Sequence, residues 1–326
     1  MLYSSGTWLV TGGAGFVGSA VVAEALSRPG CQRVVVLDSL STGSKEYLPT
    51  DPRVELQAAD LRDGDTVLRV FADAHAERVI HLAAIHYIPY CNQHPTETLE
   101  VNVTGTQNVL EACRRHPPRS LAIASSAAVY PIHDEACSEE SLVAAPTDIY
   151  GLSKHINEQQ LALFAKDGGV RCAAARLFNV YGPHETNPHV LPEILRQALS
   201  GNLSLKLGNV KPKRDYVYVT DIASGLVAMA ERNEHPFRTY NVGTGIEYSV
   251  EEMVAELAKI SSLNLTIDTD PAKVRKSDRM HLLCDRRRIE KELGWQPQYD
   301  MKRGMSELWQ WAQSHHEHVQ LPFASK

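Results

Sequence analysis

Long apolar runs, paired cysteines and an excess of positive charge are all missing from this chain of 326 residues. A helix that spans a bilayer needs about 20 consecutive apolar residues. No stretch reaches that length, so no membrane association is expected. No basic segment leads into an apolar core at the start, where Trp8-Leu9-Val10 already reads as a strand, and this predicts no secretory leader. The cysteines, at positions 31, 91, 113, 137, 172 and 284, form no Cys-x-x-Cys pair. Such wide spacing in a chain of this size predicts reduced thiols and a cytoplasmic protein. The formal net charge is −6 and the isoelectric point lies near 6.2, which speaks against generic nucleic-acid binding. The basic runs at 211–214, 273–276 and 286–288 are short, lie among acids and read as solvated faces. His315, His316 and His318 have no Cys or acidic partner at a recognised spacing, so no metal site is expected.

What the chain does contain is an alternation of short apolar strands and helical patterns. A strand at 7–10 runs into Thr11-Gly12-Gly13-Ala14-Gly15-Phe16-Val17-Gly18, and a helical pattern follows at 19–26. Gly12 suits a tight turn, Gly15 lets backbone approach a pyrophosphate, and Gly18 lets the helix pack closely on the strand. The free N–H groups and dipole at the helix start favour an anion. Alone the motif is weak and a plain turn is the alternative; its strand-loop-helix setting favours dinucleotide binding. The next strand, at 33–38, ends in Asp38, twenty residues after Gly18. A carboxylate there accepts hydrogen bonds from ribose hydroxyls and repels a 2′-phosphate, which favours NAD over NADP. A strand-end turn residue is the other reading. Further strands are expected at 54–58, 79–84 and 121–126, with a helix from Asn102 through Cys113. Asp60, after the third strand, suits an adenine amino group. Strands alternating with helices predict an α/β fold with a doubly wound parallel sheet, its ligand at the carboxyl ends of the strands.

Tyr150 and Lys154 stand four residues apart at the start of a helical pattern, on one helix face. A neighbouring ammonium favours phenolate, so the Tyr150 pKa is expected to fall far enough for it to take a proton from a sugar or alcohol hydroxyl. An exposed helical pair is the bland alternative. Ser125 and Ser126 close the fifth strand; without a Gly-x-Ser-x-Gly elbow, Ser126 suits a hydrogen bond to substrate, not nucleophilic attack.

Together the glycine loop, Asp38, Asp60, His81-Leu82-Ala83-Ala84, Asn102, Ser126, Tyr150 and Lys154 resemble the extended short-chain dehydrogenase/reductase family. The stretches Arg176-Leu177-Phe178-Asn179-Val180-Tyr181-Gly182-Pro183, Arg214-Asp215-Tyr216-Val217-Tyr218-Val219, Tyr240-Asn241-Val242-Gly243 and Leu293-Gly294-Trp295-Gln296-Pro297 extend the likeness over nearly the whole chain. The branch it looks most like is the UDP-glucose 4-epimerases. The resemblance implies a Rossmann cofactor domain at 1–178 and a smaller α/β nucleotide-sugar domain at 179–326, with segments crossing back to the sheet. It implies NAD contacts from Phe16 and Val17, from Ser39, Ser41, Thr42 and Gly43, and from Leu61. Leu82, Ala83, Ala84, His86, Asn102, Ser125 and Phe178 would line the rest of that site, with Tyr150 and Lys154. For the sugar nucleotide it implies Asn179, Val190, Leu191, Arg214, Tyr216, Arg275 and Asp278, beside His86, Ser126 and Tyr150. An Arg fork also suits phosphate oxygens on physical grounds.

The implied chemistry is oxidation at C4 of the sugar, rotation of the 4-keto intermediate and return of hydride from the other face. Relatives that eliminate water or carbon dioxide carry acids after the strand-end serine, where this chain has Ala127 and Ala128. A 4-epimerase acting on a UDP-hexose or UDP-uronate is therefore expected. The alternatives are a decarboxylase, dehydratase, 3- or 5-epimerase or reductase of the same family, and a non-catalytic NAD-binding protein. His86 stands where many relatives have lysine; it touches cofactor or sugar, or fills the pocket wall. His184 and His189 lie in the substrate region, and Leu282 at a position that limits room beside the sugar. The family also implies a homodimer through the helices after Asn102 and Tyr150. Ile156, Leu161, Leu163 and Phe164 would cover that contact, or pack on their own sheet.

Overall fold

A computed structural model of the chain describes residues 6–140, 143–185, 187–271 and 279–315. Its first half alternates strand and helix. In order these are β1 (Gly6–Thr11), α1 (Phe16–Leu26), β2 (Cys31–Asp38), β3 (Val54–Ala58), α2 (Gly64–Ala74) and β4 (Arg78–His81). There follow α3 (Ile88–Gln93), α4 (Pro95–Leu99), α5 (Gly105–Arg115), β5 (Ser120–Ser126), α6 (Ile149–Phe164) and β6 (Arg171–Leu177). Between α4 and α5 a π turn, Glu100–Thr104, inserts an extra residue into an otherwise helical run. Asn102, expected to open a plain helix, sits inside that turn. β4 is shorter than the expected strand at 79–84: Leu82 to Ala84 leave the sheet, the Ala83 amide reaching the Thr11 hydroxyl at 3.4 Å.

The second half supplies β7 (Asn179–Tyr181), α7 (Val190–Leu199), β8 (Ser204–Leu207), β9 (Lys213–Tyr218), α8 (Val219–Arg232) and β10 (Phe237–Val242). β11 (Glu247–Ser249), α9 (Val250–Ser261), β12 (Thr266–Thr269), β13 (His281–Leu282), α10 (Arg287–Leu293) and α11 (Met301–Ser314) complete it.

The main sheet has seven strands in the order β10-β6-β5-β4-β1-β2-β3, and each pairing is parallel. Buried strands of this kind read as continuous apolar runs because helices cover both faces. Val34, Val35, Val36 and Leu37 of β2 are all essentially inaccessible. Their side chains alternate: Val34 and Val36 join a core with α1 and α8, Val35 and Leu37 one with α2, α5 and α6. The chain runs outward from β1 in both directions, so the strand order reverses between β1 and β4. That reversal opens a crevice at their carboxyl ends.

Residues beyond 178 do not all lie outside this sheet. β10 pairs with β6 at its edge, and α8 contributes Ile222, Ala223, Leu226 and Val227 to the core beside α1. The remainder forms a smaller layer. β9 pairs with β7, β11 and β13, while α7, α9 and α11 enclose a separate core around Met253, Met305 and Leu308. Among the described residues no helix is long and apolar enough to cross a membrane.

Candidate active site

The glycine loop lies at the crevice. Gly12 has φ +70°, and a β-carbon there would stand 2.7 Å from the Ala83 amide nitrogen. A β-carbon on Gly18 would stand 1.9 Å from the Gly12 carbonyl oxygen, so a side chain at either place is excluded. The start of α1 has no side-chain cap and no acid in its first turn. Its N–H groups and positive dipole end therefore face the crevice uncompensated, the condition that holds a pyrophosphate. Phe16 and Val17 form that first turn. Asp38 is nearly inaccessible and its two oxygens accept from the amides of Ala14, at 2.9 Å, and Leu40, at 2.8 Å. The carboxylate is thus aimed at the loop that would hold an adenosine ribose. Ser39 and Ser41 lie just beyond it, hydroxyl to hydroxyl at 3.0 Å, and Thr42 leads to Gly43. A β-carbon on Gly43 would meet the Ala14 carbonyl at 2.6 Å, so this segment lies flush against the glycine loop. Asp60 is engaged by Arg62 at 2.6 Å, which holds its carboxyl below the ordinary range. Leu61 is buried under α5, where its carbonyl accepts from Asn108 at 2.8 Å. These residues fit a dinucleotide: a cradle without side chains, a free helix terminus and an oriented carboxylate.

Two residues expected at the cofactor from sequence engage their side chains with other residues of the protein. Asn102 is inaccessible; its amide oxygen accepts from the Ile85 N–H at 2.8 Å, and its amide nitrogen donates to the Ile85 carbonyl at 2.9 Å and the Ser153 hydroxyl at 3.0 Å. Both its donor hydrogens are used, so its side chain ties the loop after β4 to the start of α6. Ser125 is also buried and donates to Glu158 at 2.6 Å. Glu158 in turn receives both nitrogens of the Arg176 fork, at 2.9 and 2.7 Å.

Ser126, Tyr150 and Lys154 converge beside this crevice. β5 ends at Ser126, whose hydroxyl oxygen accepts from the Ala128 amide at 3.1 Å. α6 starts at a strong cap, Asp148 accepting from the Gly151 N–H at 2.8 Å. Tyr150 therefore sits in the first turn, with Ser126 near enough to its hydroxyl to favour the phenolate. Lys154, one turn on, is almost fully buried with its ammonium 5.9 Å from the Tyr150 ring centre.

The expected fall in the Tyr150 pKa does not occur in the chain by itself. Burial pushes the phenol well above its usual range, and Ser126 opposes this only in part. The same burial acts on its neighbour, pushing Lys154 down to about 8. Lys154 keeps most of its charge near neutrality, but its ammonium lies 5.9 Å from the ring centre, and the burial of the phenol outweighs it.

Across the crevice His184, Asn187 and His189 approach the loops after β2 and β4. His86 hydrogen-bonds Asn187, and His189 is paired with the buried carboxyl Glu185. The Tyr47 and His184 rings lie 4.3 Å apart. His86 is exposed to solvent, while surrounding protein, with His189 and Lys154 nearby, holds its imidazole below the usual range. Leu82, Ala83 and Ala84 run past the glycine loop, and Phe178 packs with Val129 and Tyr130 behind the serine.

On the substrate side Asn179 pairs in register with Tyr216, and Arg214 lies next along β9, half-buried, donating to the Lys213 carbonyl at 2.8 Å. Val190 and Leu191 open α7. Leu282 pairs with Arg214 in the sheet. Arg275 and Asp278 lie outside the described residues, as do His316 and His318. Sequence reasoning missed Arg279, which donates to the Tyr130 and Pro131 carbonyls at 2.8 and 2.9 Å, and Asp215. Asp215 is inaccessible and accepts from the N–H groups of Thr244 and Gly245, each at 2.8 Å. Arg279 lies in no quoted motif, and the stretch that contains Asp215 gives no sign of its partners; the contacts are made by residues far apart in the chain.

The residues at 8–243 match the family model described as NAD dependent epimerase/dehydratase family. UDP-glucose 4-epimerase of Bacillus subtilis is 31% identical over 331 residues, covering 94% of this chain and 96% of the relative. The solved structure of Thermus thermophilus UDP-glucose 4-epimerase in complex with NAD is 30% identical, with a TM-score of 0.83, over 95% of this chain and 99% of that one. UDP-N-acetylglucosamine 4-epimerase from Methanobrevibacter ruminantium, in complex with UDP-N-acetylmuramic acid, is 25% identical with a TM-score of 0.87, over 95% and 99%. With the model matching well over half of its length, the chain belongs to the NAD dependent epimerase/dehydratase family.

Proposed function

We propose that this protein is an NAD-dependent nucleotide-sugar 4-epimerase, with a UDP-sugar as its substrate. The observation that carries the reading is the meeting of Ser126, Tyr150 and Lys154 beside the glycine-loop crevice, with Ala127 and Ala128 buried or apolar where an eliminating acid would stand. NAD, when bound, supplies the acceptor and later the donor of hydride. Tyr150 takes the proton from the sugar C4 hydroxyl and returns it after the 4-keto sugar has turned. Ser126 holds the reacting oxygen. Lys154 steadies the developing phenolate, a task that requires its protonated form. Asn179 and Arg214 hold the diphosphate, which acts as the pivot for the turning sugar; Asn179 makes no side-chain hydrogen bond to another described residue.

The test is incubation of purified protein with UDP-, GDP- and dTDP-sugars without added cofactor, resolving stereoisomers. Interconversion of one sugar pair at unchanged mass is expected. A stoichiometric need for NAD with NADH accumulating, or a product lighter than its substrate, overturns the reading. The second outcome would direct attention to Glu185, a buried carboxyl in the cleft wall whose pKa is raised by its burial. Such an acid suits proton abstraction at another sugar carbon.

The cytoplasmic assignment is supported by six free, buried thiols. A homodimer is supported by Leu152 and Leu163, 39% and 62% exposed on α6, and by a groove lined by Leu99, Val103 and Ile156. Leu161 and Phe164, by contrast, belong to the core under the sheet. Light scattering on the purified protein decides it: a monomer at micromolar concentration removes the dimer.

A further inference from the structure

One buried histidine is not used by the chemistry above. His81 closes β4, is almost inaccessible, and lies between Thr11 and Thr106, which are inaccessible or nearly so. The donors and acceptors around it can be ordered without ambiguity. The Thr106 hydroxyl donates to the Asn102 carbonyl at 2.6 Å, so it has no proton left for His81. The contact of 2.9 Å between Thr106 and His81 Nε2 is therefore a donation by Nε2–H. At the other ring nitrogen, Thr11 lies 2.6 Å from Nδ1. Burial and the nearby Lys154 charge keep the ring neutral, so Nδ1 accepts and the Thr11 hydroxyl donates.

The same line continues into the active site. Asn102 donates to the Ser153 hydroxyl at 3.0 Å, and that hydroxyl donates to the Tyr150 carbonyl at 2.7 Å. Asn102 also brackets the Ile85 backbone, the loop that carries His86. Hydrogen bonds, joined through the covalent frame of Asn102, thus link Thr11, which precedes the glycine loop, to the backbone of Tyr150.

We propose that His81, fixed as its Nε2–H tautomer, is a positioning residue that sets the place of the Tyr150 turn relative to the glycine loop. Breaking these links leaves the reacting groups present but displaced. The inference rests on the epimerase reading for its kinetic consequence, though not for the tautomer itself.

Thr106→Val removes one link while keeping the side-chain shape, and Thr106→Ser restores the hydroxyl. In the NAD-loaded enzyme Thr106→Val is expected to lower kcat by about 10- to 100-fold, the scale of a small misplacement of reacting groups. KM for the UDP-sugar and bound NAD should stay as in the parent, and Thr106→Ser should recover kcat. Nitrogen-15 NMR of the unmodified protein should show Nδ1 bare and Nε2 protonated from about pH 5 to about pH 9, across the range in which an ordinary histidine titrates. A protonated Nδ1, or titration within that range, overturns the proposal even if every variant fails to fold. Unchanged kcat in Thr106→Val, or an equal loss in Thr106→Ser, also overturns it. Absence of epimerase activity in the unmodified protein would sink the functional reading alone, because the spectrum still decides the hydrogen-bond order.

Discussion

Tyr150 illustrates how a residue's neighbours in sequence and its neighbours in space can pull in opposite directions. Its spacing from Lys154 suggests a sharpened phenolate, yet burial raises the phenol pKa and lowers that of the lysine to about 8. The charge that makes the tyrosine a base must therefore come with the occupants of the crevice, whose cationic ring would stabilise phenolate through space. Tyr150→Phe should keep the fold and bound NAD but lose roughly 10²- to 10⁴-fold in kcat, the usual worth of a general acid-base group; assay of sugar interconversion with cofactor content measured in parallel checks both halves. His81 yields a stability prediction of definite sign. Its folded pKa lies near 3 against an ordinary 6.5. Between these values the unfolded chain holds a proton that the folded chain lacks. The contribution of His81 is fully present above about pH 6.5 and is lost as the pH falls toward 3. Urea unfolding at several pH values should show stability falling across that window, and a His81→Gln variant should show a shallower fall.

At the scale of elements, the site is placed by the ends of strands and starts of helices, and these ends are held by buried polar contacts. Glu158 on α6 joins Ser125 of β5 and Arg176 of β6 in one cluster, with its Arg pair at 2.7 Å and both side chains under a tenth exposed. Removing one member of such a pair leaves a buried charge unpaired, at a cost of about 3–5 kcal/mol. Arg176→Met should lower the thermal midpoint accordingly, while replacing both Arg176 and Glu158 by apolar residues should cost less than the single change. A Glu158–Arg176 pair that could be broken without loss of stability would contradict this. The glycine loop makes a sharper demand. Gly12→Ala brings a β-carbon to 2.7 Å from the Ala83 backbone nitrogen at a φ of +70°. The crevice must open to admit it, and the purified variant should carry no NAD.

For the molecule as a whole, the return of α8 and β10 to the large sheet makes the two halves of the chain one folding unit. Ile222, Leu226 and Val227 cover the face of the sheet beside α1, and β10 shields β6 as the edge strand. A fragment ending at residue 178 would expose that apolar face and the unpaired edge of β6. We expect it to be insoluble when expressed alone; a soluble, cooperatively melting fragment would show the halves to be independent. Ligand linkage gives a further check. Free NAD at a hundred times its Kd should add about 2.7 kcal/mol to stability, read as a rise in melting temperature that saturating NADP does not match.

The parallel sheet, the glycine loop, the acid closing β2 and the Tyr-Lys pair were all legible in the sequence, because each depends on local pattern: short apolar runs in strands, three-residue glycine intervals, one helical turn between Tyr150 and Lys154. Tertiary structure alone decided which polar residues face the crevice and which are spent holding it. Asn102 and Ser125 carry the right chemistry to touch a cofactor, and only the packing of the π turn and of Glu158 against them assigns their hydrogen bonds elsewhere. It decided too that β10 would edge the large sheet. Burial and long-range partners determine a polar group's task, and neither can be read from residues adjacent in the chain.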